Sequence, residues 1–245
     1  MSGHSKWHSI KHQKAKEDKK RGKLFSRLVK EISASSRIGG GDPGMNPRLR
    51  LAIEKANEAN MPKDNIDRAI KRGTGELPGI SYEEIMYEGY GPGGVAVMAA
   101  VTTDNKNRSA SDIRRIFKEY GGNLGENGCV SWMFKSRGII TVPKDEVSED
   151  KLTEKVIELE AEDLETGDEE YYQVITKPEN FSKIDKGLKK EFEIEDSEIT
   201  MIPNTYIKLS GREAEKMLDL MNNLEDYEDV NSIYANFDIE EGMKE

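Results

Sequence analysis

Near residue 76 the apolar residues change their period, and that change limits what the chain can fold into. Upstream, Leu24, Leu28 and Ile32 stand four apart with Phe25 and Val29 beside them, the stripe of one helix over about 16 to 36. The glycine-rich loop at 39–44 ends it. Asn46 is then a good N-cap, with Pro47 at the first helical position, for a second helix to about residue 59. Asn60 and Met61 make a turn, Pro62 starts a third helix in which Met61 can staple onto Ile66, and Gly73 closes it. The pattern predicts a three-helix bundle around Leu28, Leu51, Ile66 and Ile70, preceded by a weakly ordered arm over 1–15.

Downstream, strands and helices mix. Residues 86–90 and 95–103 read as strands joined by the Gly91-Pro92-Gly93-Gly94 turn, and the second is apolar enough to be central. A helix over 109–120 and a strand over 130–134 follow. The next run comprises a strand at 138–142, a helix at 149–160, strands at 162–166 and 171–176, a helix at 179–191 and a strand at 197–202. That βαββαβ order is the split βαβ, or ferredoxin-like, pattern. A strand at 206–209, a helix at 211–224 and a strand at 229–237 then look like the second half of the domain that began at residue 80. The expected class is α+β multidomain: a basic helical domain with its arm (1–79), a discontinuous α+β middle domain (80–135 plus 204–240), and a third domain (136–203) inserted in the second. One continuous mixed sheet would give the same element order.

Charge is distributed as unevenly as period. The net value of -10 combines 18 Lys and Arg against 8 Asp and Glu in residues 1–75 with 19 against 39 in the rest. Surface charges are screened over about 8 Å at physiological salt, so a polyanion meets the first third as a cation. The acidic segments, such as 158–163, read as solvated faces that keep away from phosphate. The single cysteine, Cys129, rules out an internal disulfide and fits a reducing compartment. The longest apolar run, residues 95–101, is seven residues, against the roughly 20 a membrane span needs. The first 25 residues lack the apolar middle of a signal peptide, and Glu17 and Asp18 argue against a mitochondrial presequence. These features point to a cytoplasmic protein with no membrane partner.

All three histidines, His4, His8 and His12, lie in the first twelve positions at one-turn spacing. Zinc would need more ligands than this arm offers, since no cysteine is near and Glu17 and Asp18 lie more than a turn further on. No metal site is assigned. Phosphate contact fits more of the residues: Lys6, Lys11, His12, Lys14, Lys16, Lys19, Lys20, Arg21, Lys23 and Arg27 form a dense cationic row, and Trp7 adds a ring that can stack on an unpaired base. The alternative is an arm that tucks Trp7 against its own bundle and leaves the lysines in solvent. Lys63, Arg68, Lys71 and Arg72 would line the third helix, whether the pair of helices joined at 60–61 is a DNA-reading helix-turn-helix or an ordinary hairpin. Lys106, Arg108, Arg114, Arg115 and Lys118 make a secondary basic face, either a phosphate contact or a solvated surface.

Catalysis finds little support. The GPGG turn precedes a strand, so it lacks the helix N-terminus that holds phosphate. Cys129 has no histidine in its own domain, and with 47 carboxylates a chance pair proves nothing. The chain reads as a non-enzyme with no cofactor and no small-molecule substrate.

Four long stretches, GHSKWHSIKHQKAKEDKKRGKLFSRLVKEI, ANEANMPKDNIDRAIKRGTG, YEGYGPGGVAV and TTDNKNRSASDIRRIFKEYGGNLGENGCVSWMF, resemble the YebC family over nearly the whole chain. The resemblance implies one helical and two α+β domains, the third inserted in the second, and a DNA-binding transcriptional regulator. It also brings relatives described as a mitochondrial translational activator and as factors linked to stalled ribosomes. Cys129 and His8 depart from the family pattern, which more often has serine and a small residue there. The basic first third then suits a DNA-binding regulator of transcription, a translation factor gripping ribosomal RNA or, less well, a protein-interaction module whose basic end binds acidic proteins. The lysine-rich arm and its tryptophan suit unstacked RNA bases, whereas duplex reading wants arginine or amide side chains at base edges. Palindromic DNA sites would call for a homodimer, and no dimer interface is legible.

Overall fold

A computed structural model describes residues 18–78 and 82–239, with side chains from residue 24 onward. Seven α-helices and ten strands occur among the described residues. The helical segment holds α1 (Asp18–Gly39), α2 (Pro47–Glu58) and α3 (Lys63–Gly73). Leu28, Ile32, Leu49, Ala52, Ala56, Met61, Ile66 and Ala69 form its core, with Ile70 packed partly against it. Leu51 does not join them: on α2 the buried stripe runs through Leu49, Ala52 and Ala56, which turns Leu51 outward at 53% exposure. Leu24, at 45%, likewise lies beyond the bundle.

Asn46 closes two helices at once. Its Oδ1 accepts the Leu49 N–H at the start of α2, and its Nδ2 donates to the Ser35 and Gly40 carbonyls at the end of α1. Gly73 is not the residue that turns the chain out of α3, because the left-handed residue there is Gly75, at φ 81°. Gly73 serves close packing instead: a Cβ on it would lie 2.4 Å from the Ser33 carbonyl oxygen of α1. The Ser33 hydroxyl completes this contact by donating to the Ala69 carbonyl.

The chain continues through β1 (Glu83–Tyr90), a 3-10 turn (Pro92–Gly94), β2 (Ala96–Thr103), α4 (Lys106–Glu119) and β3 (Asn123–Leu124). A second 3-10 turn (Ser131–Met133) leads to β4 (Phe134–Pro143), α5 (Glu149–Glu158), β5 (Asp163–Glu165), β6 (Tyr171–Thr176), α6 (Phe181–Leu188) and β7 (Asp196–Pro203). The last elements are β8 (Ile207–Leu209), α7 (Gly211–Asp226), β9 (Val230–Ala235) and β10 (Phe237–Ile239). Two compact units divide the described residues. One takes residues up to 131 together with 209–235, and the other takes 132–208 with 236–239.

In the first unit an antiparallel sheet runs β3-β1-β2-β9, with β2 central and buried along nearly its whole length. Helices α4 and α7 pack against this sheet through Ile113, Phe117, Met217 and Leu220, all fully buried. The GPGG turn needs its glycines, since Gly93 and Gly94 both have positive φ. In the second unit the sheet order is β5-β6-β4-β7 with every neighbour antiparallel. Ile140, Val142, Tyr172 and Val174 from its strands bury against Leu152, Val156, Ile184 and Leu188 of α5 and α6. β8 and β10 pair as a separate two-stranded ribbon.

Two expected strands also fail, for identifiable reasons. Residues 130–133 are not strand, because the buried Glu88 carboxylate takes the backbone N–H groups of Gly128, Val130 and Ser131 at 2.8, 2.9 and 2.9 Å. Those donors are lost to any ladder. The strand expected over 229–237 is two strands, broken at the buried Asn236, whose carbonyl accepts the Ile207 N–H.

Candidate nucleic-acid interface

Four basic side chains of the helical segment bond to groups of the α+β part of the same unit. Arg27 donates to the Glu225 carbonyl at 2.6 Å, and Arg37 to the Tyr82 carbonyl at 2.8 Å. Arg48 bridges Glu31, at 2.7 Å, and Glu84. Lys30, only 9% exposed, donates to the Glu228 carbonyl at 3.0 Å and to Asp229 at 2.5 Å. Arg27, counted from the sequence among the phosphate partners, is therefore committed to an internal bond.

Asp229 is the centre of this joint. It is 1% exposed and also accepts from Thr103 at 3.0 Å, Ser109 at 2.9 Å and Arg108 at 2.8 Å. Burial pushes its carboxyl up, but hydrogen bonds from Lys30, Arg108 and Ser109 outweigh that and hold it down at about 2. A cleft of about 340 Å³ opens beside it, lined by Phe25, Val29, Lys30, Tyr82, Asp104 and Arg108. Lys30 and Arg108 already face carboxylates, so the cleft offers no unpaired cation to an anionic ligand.

The cations expected on α3 and α4 are exposed. On α3, Lys63, Arg68, Lys71 and Arg72 are all exposed, and Arg68 donates to the Asp64 carbonyl and to Asn65. On α4, which Asn105 caps by accepting the Arg108 N–H, the side chains of Lys106, Arg108, Arg114, Arg115 and Lys118 are exposed. Arg108 is tied to Asp104 and Asp229, and Arg115 pairs with Glu119 at 3.3 Å. Lys6, Trp7, Lys11, His12, Lys14 and Lys16 lie outside the described residues, as do the side chains of Lys19, Lys20, Arg21 and Lys23.

Sequence reasoning missed Asp229, Thr103, Ser109 and Glu88. Asp229 sits in the acidic run NNLEDYEDV and carries no local sign of its distant partners. Cys129 is half-buried, and burial, helped by Glu88, pushes its thiol up and away from the reactive thiolate. Among the described residues no group of three or more His, Cys, Asp or Glu could hold a metal ion, and no helix is long and apolar enough to cross a membrane.

A helical segment with outward cations, followed by antiparallel α+β sheets, defines a multidomain α+β protein without a metal-binding cluster among the described residues. The chain belongs to the TACO1/YebC family: the model of the family's N-terminal domain matches residues 5–76, and that of its second and third domains matches residues 82–237. A probable transcriptional regulatory protein of Sulfurihydrogenibium sp. is 54% identical over 100% of this chain and 98% of its own length. Another of that name, from Geobacter sulfurreducens, is 55% identical over 98% of this chain and 96% of its own. The crystal structure of a conserved hypothetical protein from Aquifex aeolicus superposes with a TM-score of 0.85 at 49% identity, covering 98% of this chain and 100% of that one.

Proposed function

We propose that this protein is a non-enzymatic regulator of gene expression that acts in the cytoplasm by holding nucleic acid through its basic first third. The observation that carries the reading is the charge split, 18 basic against 8 acidic groups in residues 1–75. The exposed Lys63, Arg68, Lys71 and Arg72 of α3 belong to that cationic third. The relatives' names as transcriptional regulators support DNA as the polyanion. In this reading the arm residues Lys6, Trp7, Lys11, His12, Lys14 and Lys16, with Lys19, Lys20, Arg21 and Lys23, supply most phosphate contacts. The domains are a basic helical domain (1–79), a middle domain (80–135 plus 204–240) and an inserted ferredoxin-like domain (136–203). The β5-β6-β4-β7 order and the βαββαβ succession support that last assignment.

The test compares the full chain with a form lacking residues 1–23, which removes 8 basic and 2 acidic groups. Affinity for duplex DNA and for single-stranded RNA is measured across a salt series. The shortened form is expected to bind more weakly, with its salt dependence flattened by about 0.7 to 0.9 log units per lost phosphate contact. Unchanged affinity and slope would retire the arm. A clear preference for the single strand would favour ribosomal RNA over DNA, the reading that Trp7 suits.

A further inference from the structure

Helix α4 lies in the acidic part of the chain, yet its outer face is rich in exposed cations. Residues after 75 carry 19 basic against 39 acidic groups, and five of those 19 fall between positions 106 and 118. Lys106, Arg114 and Lys118 stand in one i, i+4 row whose remaining member is Ala110, and all three charged side chains are exposed. Asn107 and Ser111 are exposed beside them and add uncharged donors of the kind that bind phosphate oxygens.

The acids on α4 and just before it have partners outside this row. Asp112 is half-buried and accepts the Tyr227 hydroxyl at 3.0 Å. Glu119 pairs with Arg115 at 3.3 Å at the end of the helix. Asp104 is bound by Arg108 at 2.8 Å. The inner face holds the row in place, with Ile113 and Phe117 fully buried and Ile116 nearly so. The Tyr87 hydroxyl donates to the Lys106 carbonyl at 3.1 Å and ties the start of the helix to β1.

We infer that Lys106, Arg114 and Lys118 form a second phosphodiester contact, so that the middle domain grips nucleic acid alongside the helical domain. At about 1.5 Å rise per residue the row spans about 18 Å, or some five nucleotide steps at roughly 3.4 Å per step of one strand. This rests on the reading of the chain as a nucleic-acid binder. It differs from that reading in placing contacts on a domain whose net charge is negative.

The experiment uses the full chain with K106E, R114E and K118E combined. A control combines K177E, K190E and K216E, exposed lysines outside α4 that make the same change in net charge. Salt series are run on a duplex DNA and on a single-stranded RNA of equal length, with thermal melts to confirm folding. The α4 variant is expected to lose about 2 to 3 log units of salt slope, at 0.7 to 0.9 per contact, beyond any loss in the control. The nucleic acid that shows this loss identifies the source of the phosphates. An α4 variant indistinguishable from the control on both ligands overturns the inference while the arm's role stands. Absence of salt-dependent binding by the unmodified chain overturns the proposed function itself.

Discussion

Asp229 shows how one carboxylate can hold a helical segment to a sheet. Its charge is matched by Lys30 and Arg108 and its remaining lone pairs by Thr103 and Ser109, the condition under which a buried ion pair is tolerated. Removing one partner leaves a charge stranded. Lys30→Met is expected to cost about 3 kcal/mol in chemical denaturation, and adding Asp229→Asn should restore part of that loss. A Lys30→Met variant as stable as the parent would show that the pair contributes nothing. The pH dependence follows from the depressed carboxyl. With a folded value of about 2 against an ordinary 3.8, its contribution is complete above roughly pH 4 and disappears as pH falls toward 2. Melts of the parent should fall over that window more steeply than those of Asp229→Asn. Such a residue is invisible in sequence, because nothing near position 229 announces partners at 30, 103 and 108. Asn46 was legible for the opposite reason: its principal role, capping Leu49 before a proline, is local.

Elements divide along the same line. The helices, the central strand β2 and the βαββαβ succession follow periodicity that short-range sterics and burial impose, and they appear where the pattern puts them. The misread segments are those where a distant group captures the backbone, as Glu88 does with residues 128–131. β3, two residues long, carries too little pattern to be read at all. Gly73 offers a test at this scale. Helix propensity alone gives Gly→Ala a gain of up to about 1 kcal/mol. The Ser33 carbonyl, 2.4 Å from the new methyl, is backbone and cannot swing aside. Gly73→Ala is therefore expected to destabilise by about 2 kcal/mol, read as a lowered midpoint in urea. A raised midpoint would mean that α1 and α3 separate freely.

Charge acts over the whole chain. Although the net value is -10, the 18 to 8 excess of basic groups in residues 1–75 should let the intact protein bind a cation exchanger at neutral pH and low salt, as well as an anion exchanger. The form lacking residues 1–23 should keep only the second behaviour. Retention of both by the shortened form would place the effective cationic surface on α3 and α4. The family match, across residues 5–76 and 82–237, fits a chain whose organisation is specified throughout its length. The order of strands in the first sheet also bears on synthesis. β2 is central, yet its partner β9 begins about 130 residues later, after the whole of the second unit's sheet. At roughly 5 to 20 residues per second, a nascent chain carries this apolar strand with one edge unpaired for on the order of ten seconds. An unpaired apolar edge is a template for aggregation. Translation speed through residues 104–230, more than the stability of the finished fold, then sets how much of the protein needs a chaperone at that edge.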